Sequence, residues 1–453
     1  MDESKNKIIL SRYSFAEKQI NIPKGVCSIP HRHFEEYDKL TSIKLPDSIR
    51  SVGDYAFKGC SSLTVIFLLE GLLSIGVGCF SNCTSMSVVH IPNSVSNIKK
   101  EAFKRCESLV AVCLPNQLAT IEDFCFYQCK KLQRVIVPSS IKCISQMAFF
   151  ECLSLTEIRF HSNRVKIGKG SFKGCALKKV EFERLYTNPQ DFIGNIGASA
   201  FENCFFLVEV NLSSYPVYTL KSGCFRNCKS LRSVFLSRNT RKIMGGCFAT
   251  CISLKFIGYE PRQKPKFIRI PRADGTHEIS RYEHPMVTTE NRDTKCGLDL
   301  EHIDYFDYVA FAECKSLESI KLYDHNIRCN TFDDCENIKK ISLQGDMYFR
   351  NNESCLRLEG NKVEELEVRY YNNSISYHVA YHVMYEIIIH NPGLFEKCCT
   401  KDNLYPFEVA LGVLYVMSSS IQERDDDWII KVLYHYLRES PWILEKYLRK
   451  ISK

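Results

Sequence analysis

Twenty-three of the 453 residues are cysteine, so metal ligation, disulfide bonding and thiolate chemistry are the first chemistries to weigh. Four pairs have C-x-x-x-C spacing: Cys79/Cys83, Cys125/Cys129, Cys224/Cys228 and Cys247/Cys251. A structural zinc site needs a second pair placed to close a tetrahedron. The first cysteine of each pair instead stands where parallel segments carry Ala56, Ala102, Ala148, Ala200 and Ala310, so it reads as a small core residue. His378 and His382 lie at i, i+4, which is ligand spacing on a helix, with Cys398-Cys399 downstream. No Glu follows His378 in the H-E-x-x-H sense, and beside Tyr377 and Tyr381 the pair reads as amphipathic packing. Asp425-Asp426-Asp427 resembles the opening of a cation loop, but three acids directly before Trp428 suit a helix N-terminus, where carboxylates meet the positive end of the dipole. G-x-S-x-G, G-x-x-x-x-G-K-[ST] and G-x-G-x-x-G are all absent. Asn82, Asn211, Asn352 and Asn372 open glycosylation tripeptides that read as chance matches. The sequence assigns no catalytic, cofactor-binding or metal-ligating residue, and no cofactor is expected.

Composition sets the class. Hydrophobic residues at 45% and charged residues at 25% are ordinary for a folded soluble chain and exclude wholesale disorder. A net charge of +8 over this length is too diffuse for the basic field of a nucleic-acid binder, so no nucleic-acid partner is expected. The segment Met1–Lys7 carries acids and bases and leads into only Ile8-Ile9-Leu10, which is no secretory core. The richest apolar windows, Val383–Ile389 and Val409–Met417, are too short to span a bilayer. These features predict a cytoplasmic protein without a membrane span, its thiols reduced and buried. Surface exposure by an unconventional route is the alternative.

The cysteines keep time. An F-x-x-C element recurs from Phe57…Cys60 through Phe80…Cys83, Phe103…Cys106 and on to Phe332…Cys335, mostly at steps of 23 residues. A fixed period in this range is the mark of a solenoid. Each unit opens with an alternating stretch such as Leu40-Thr-Ser-Ile43-Lys-Leu45-Pro46, which predicts a short parallel strand ended by proline. A V-x-x-I stretch and the small-F-x-x-C element follow, predicted as extended or tightly turned chain on the other wall. At that bend a small inward thiol fills the core and pairs weakly with a neighbouring backbone group.

The unit from His90-Ile91-Pro92-Asn93-Ser94-Val95 through Ala102-Phe103 and Cys106 to Leu109 resembles the BspA-like class of leucine-rich repeats. The resemblance covers roughly residues 20–345. It implies a right-handed curved solenoid with a parallel concave sheet that binds proteins, and relatives of this class are often surface adhesins. Two steps break the period: a 29-residue step around Arg184–Gly197, and a 63-residue step whose segment Tyr259–Arg292, rich in Arg, Lys and Pro, predicts a basic loop insertion over about 259–300. The repeat domain is expected to span 1–360. Beyond it, Val383–Lys397 aligns with Val432–Lys446, and Asn391-Pro392 and Ser440-Pro441 read as N-cap plus first-turn proline. Residues 361–453 are therefore expected to form a small all-α domain of helical hairpins, ankyrin-like in the spacing of Asn403–Leu411.

Function in such an array falls to the side chains that point outward from the strands. In the second to fifth strands Val65, Phe67, Val88, Ala111 and Ile136 make an apolar patch, with His90 among them and Arg134, Glu157 and Arg159 in the charged stretch beside it. These residues are the expected partner-binding set, and the expected activity is that of a non-enzymatic protein–protein interaction scaffold. The alternatives are a cell-surface adhesin and a metal-binding or enzymatic C-terminal domain. The identity of the protein partner and the oligomeric state do not follow from the residues.

Overall fold

A computed structural model describes residues 13–161, 164–182, 194–260, 297–323 and 330–344, with the strand segments 266–271, 277–282, 326–327, 348–349 and 365–369. Among them the chain winds through successive three-walled rungs. The first wall holds the alternating strands. Seven of them, Gln19–Asn21 to Glu157–Phe160, pair in parallel, and eight more continue from Lys179–Glu181 to Glu365–Arg369, joined to the first set by the Phe160–Phe182 bridge. Inward residues follow the alternation, with Ile43, Ile66, Val89, Val112 and Val135 buried. The second wall is built of two-residue strands such as Ser51–Val52 and Ser74–Ile75, also parallel.

The third wall carries the F-x-x-C element. It has no strand, yet its backbone is laddered between rungs: Phe57 N–H donates to Cys79 O at 2.9 Å and Phe80 N–H to Ala102 O at 2.8 Å. Two positions in each tight turn take positive φ, for example Tyr55 and Gly59, Glu101 and Arg105, Phe124 and Gln128. This bends the chain sharply enough to stack the rings behind it. Rings from Phe34 to Phe332 form one column with neighbouring centroids 5.2–5.5 Å apart. Each ladder thiol donates to the phenylalanine carbonyl of the previous rung, as Cys60 to Phe34 O and Cys83 to Phe57 O, both at 3.1 Å. The expected thiol–backbone pairing is thus a continuous feature of the core. Burial pushes the Cys60 and Cys251 thiols up to about 12 each, and raises Cys83, Cys129 and the neighbouring Cys79 well above the ordinary range.

The interruptions leave the ring column intact. Phe172 and Phe201 flank the 29-residue step and stack at 5.4 Å. Tyr215 closes the coil there, its hydroxyl donating to Val165 O at 2.7 Å and accepting from Asn195 N–H at 2.9 Å. The 63-residue step is a single ring step, with Phe248 on Phe311 at 5.5 Å. The first wall gains one extra strand, Phe256–Tyr259 pairing with Gly297–Asp299, while the second wall runs directly from Lys242–Ile243 to Tyr305–Phe306. The insertion expected as a loop over 259–300 therefore begins and ends in sheet strands, and it contains an antiparallel pair, Lys266–Pro271 with His277–Tyr282. Glu365–Arg369 pairs with Lys340–Gln344, so the sheet runs past residue 360. The expected helical hairpins, His378, His382 and the Asp425–Asp427 acids lie outside the described residues.

Candidate functional site

Parallel pairing in register lines the outward side chains into two rows. One runs Ser42, Val65, Val88, Ala111, Arg134, Glu157. The other runs Phe67, His90, Cys113, Ile136, Arg159. Period-2 geometry sends Phe67 out and Ile66 in: Phe67 is 65% exposed and Ile66 is 0%. Val88 and Ile136 are half exposed, Val65 is intermediate, and His90, Ala111, Arg134 and Arg159 are exposed. Adjacent parallel strands lie about 4.8 Å apart, so Phe67 and Ile136, three strands apart, bracket a patch of roughly 14 Å.

The structure adds residues to this patch. Leu69 and Val110 are exposed large apolar side chains beside it. Leu69 stands where neighbouring repeats carry Pro92 and Pro115, and that departure was its one signal in the sequence. Cys113, between His90 and Ile136, is an exposed free thiol.

The charged edge is compact. Glu157 takes Arg134 Nε at 3.1 Å and Arg159 Nε at 2.6 Å, so one carboxylate serves two guanidinium groups and the edge keeps an excess of positive charge. On the next strands Lys179 lies 3.0 Å from Glu181 and 3.3 Å from Glu209. Partial burial lowers the Lys179 ammonium, but its hydrogen bonds and attraction to these two acids outweigh that and raise it. Further along, the outward row is not free surface. Phe235 and Phe256, outward by register, are 5% and 7% exposed, with ring centroids 5.5 Å apart. Phe256 lies over Gly258, where an added Cβ would come 2.7 Å from its ring. Asn211 is also buried, its amide donating to Glu260 at 2.8 Å. Asn211 is thus engaged and unavailable as a glycosylation acceptor. Among the described residues no group of three metal-ligating side chains is brought together, and no helix is long and apolar enough to cross a membrane.

A ladder of parallel strands on a 23-residue period, with a stacked phenylalanine column, is the geometry of a leucine-rich repeat solenoid. Residues 8–109, 74–191, 186–264 and 298–389 match the BspA type leucine rich repeat region, in six copies. The chain belongs to this family. The BspA-type array is similar in fold to a leucine-rich repeat protein from Bacteroides ovatus, at 23% identity over 73% of this chain and 91% of that one, TM-score 0.43. It is similar to a leucine rich cell surface protein from Faecalibacterium prausnitzii at 25% identity over 74% and 89%, TM-score 0.42. The pneumococcal vaccine antigen PcpA is similar at 15% identity over 78% and 89%, TM-score 0.35. No curated protein matches the chain.

Proposed function

We propose that this BspA-type chain is a non-enzymatic interaction scaffold that takes a protein partner on the outward face of its first wall, between Val65 and Arg159. The carrying observation is the run of exposed apolar side chains, Phe67, Leu69, Val88, Val110 and Ile136, in a face whose inward neighbours are all buried. Exposed apolar surface of this kind, bounded by charge, is what a protein partner desolvates, with an aromatic anchor contributing most. Phe67 is the anchor, and Arg134 and Arg159 orient an acidic group at the rim. A reducing, cytoplasmic setting is supported by the thiols, since all eighteen described cysteines are free.

The test is partner capture by the full chain, run with Phe67→Glu and Ile66→Glu side by side. Phe67→Glu is expected to lose the partner at an unchanged melting temperature, while Ile66→Glu unfolds its rung. Full capture by Phe67→Glu would dismiss the face.

A further inference from the structure

A second surface lies at the corner where the third wall turns into the first, and apart from Val110 at its early end the scaffold reading uses none of it. After each ladder cysteine the chain makes a short exposed turn. In the early rungs this turn is polar: Ser61, Thr84, Glu107 and Lys130 follow the cysteine. After Cys152, Cys204 and Cys251 it is apolar instead. Leu153, Phe205, Phe206 and Ile252 are exposed there, with Phe206 at 60%, as is Val208 at the entry to the strand. The residues entering the strands form a hydrogen-bonded column, Val208 N–H donating to Lys178 O, Arg232 N–H to Val208 O and Lys255 N–H to Arg232 O, at 2.8–3.0 Å. Earlier the same column starts at Lys18 and continues through Thr41, Thr64, Ser87, Val110, Gln133 and Thr156, all six uncharged.

Lys178, Lys229, Arg232 and Lys255 are exposed. None of them has an ion pair among the described residues, whereas the nearby acids do: Glu202 holds Lys173 at 2.9 Å and Glu209 holds Lys179 at 3.3 Å. Lys229 sits over the Phe205 ring at 5.7 Å. Cations without an ion pair among the described residues therefore stand along the same corner as two adjacent exposed aromatics.

From this geometry we infer that the Phe205–Phe206 corner docks on an anionic lipid surface. Phe205 and Phe206 enter the headgroup boundary, while Lys178, Lys229, Arg232 and Lys255, spaced along the rung axis, meet the lipid phosphates. Apolar insertion beside basic side chains is how a protein without a spanning segment holds to a bilayer, and each basic residue near such a surface strengthens binding by about fivefold. Docking here leaves the Phe67 face open.

The experiment uses the full chain with reductant and vesicles of phosphatidylcholine alone or with about one third phosphatidylserine. Flotation is expected with the anionic vesicles only and is expected to weaken with salt. Lys229→Gln with Arg232→Gln should weaken binding by about 25-fold. Phe206→Trp, read as the difference from the parent chain with its Trp428 and Trp442, should add emission that shifts to the blue on binding and is quenched by brominated acyl chains. Circular dichroism confirms that each variant is folded. No flotation at low salt, or an equal loss from Lys99→Gln with Lys100→Gln on the second wall, would overturn the inference. So would competition by soluble polyglutamate together with undiminished binding of Phe206→Ser, because the corner would then serve an acidic protein.

Discussion

The buried thiols set an alkaline limit on the fold. Thirteen of the ladder and companion cysteines, among them Cys60, Cys83, Cys106, Cys129 and Cys251, are raised because burial opposes the thiolate. A group raised in the folded state contributes its full stability below its unfolded pKa and loses it as pH climbs toward the folded value. For these thiols the window opens near pH 9.0 and runs upward to about 12 for Cys60 and Cys251. One unit above the unfolded value, each exposed thiol stabilises the unfolded chain by about 1.4 kcal/mol, and thirteen together by on the order of 18 kcal/mol. Global stability of a domain is typically about 5–15 kcal/mol, so the array should unfold steeply before pH 10. Tyrosine, with an ordinary pKa of about 10, also titrates as that point is approached. Far-UV circular dichroism against pH, with reductant and with absorbance at 240 nm to count thiolates after subtraction of the tyrosinate followed at 295 nm, is the assay. A single steep transition in which thiolates appear together with loss of structure is expected. A chain that keeps its dichroism through pH 10.5 while its thiols titrate with an ordinary midpoint would refute the buried ladder.

Five substitutions probe the packing by thermal or denaturant unfolding. Phe103→Ala removes one fully buried ring from the column and should cost about 3–5 kcal/mol, whereas Cys106→Ala should cost on the order of 1. Ser171 is fully buried, with no partner for its hydroxyl among the described residues. In the place other rungs give to Ala, Ser171→Ala should stabilise by about 1 kcal/mol. Val309 holds a β-branched side chain at φ 48°, so Val309→Gly should also stabilise by about 1 kcal/mol. Tyr215→Phe strips the hydroxyl from Val165 O and Asn195 N–H and should cost about 1–3 kcal/mol.

The repeat made much of the fold legible. The 23-residue spacing of F-x-x-C predicts which residues stack, and the L-x-x-I-x-L alternation predicts that Phe67 faces out and Ile66 in. Both follow from rules of strict period. The paired left-handed turns were hidden, because Tyr55, Glu101, Arg105 and Phe124 adopt them where glycine would be the readable signal. Their conformation is imposed by the ladder of the neighbouring rungs, which no single repeat displays. The 63-residue step was misleading for a similar reason. Its Arg-, Lys- and Pro-rich composition reads as a loop, yet one first-wall strand and an antiparallel pair are added while the ring column takes a single step from Phe248 to Phe311. The burial of Phe235 and Phe256 was equally out of reach, since strand register gives direction but not what lies above it. At the candidate face, the rows and their order were readable from alternation. The contribution of Leu69 was not, because it lies past the strand, in the proline position.

We propose the Val65–Arg159 face as the place where this chain meets a protein partner. Photo-crosslinking from that face in the native cell tests it most directly, with a photoreactive phenylalanine analogue placed at position 67, at 136, or at control position 100 on another wall. One protein adduct, shared by positions 67 and 136 and absent at 100, is the predicted result. Adducts at position 100 with none at 67 and 136 would contradict the account.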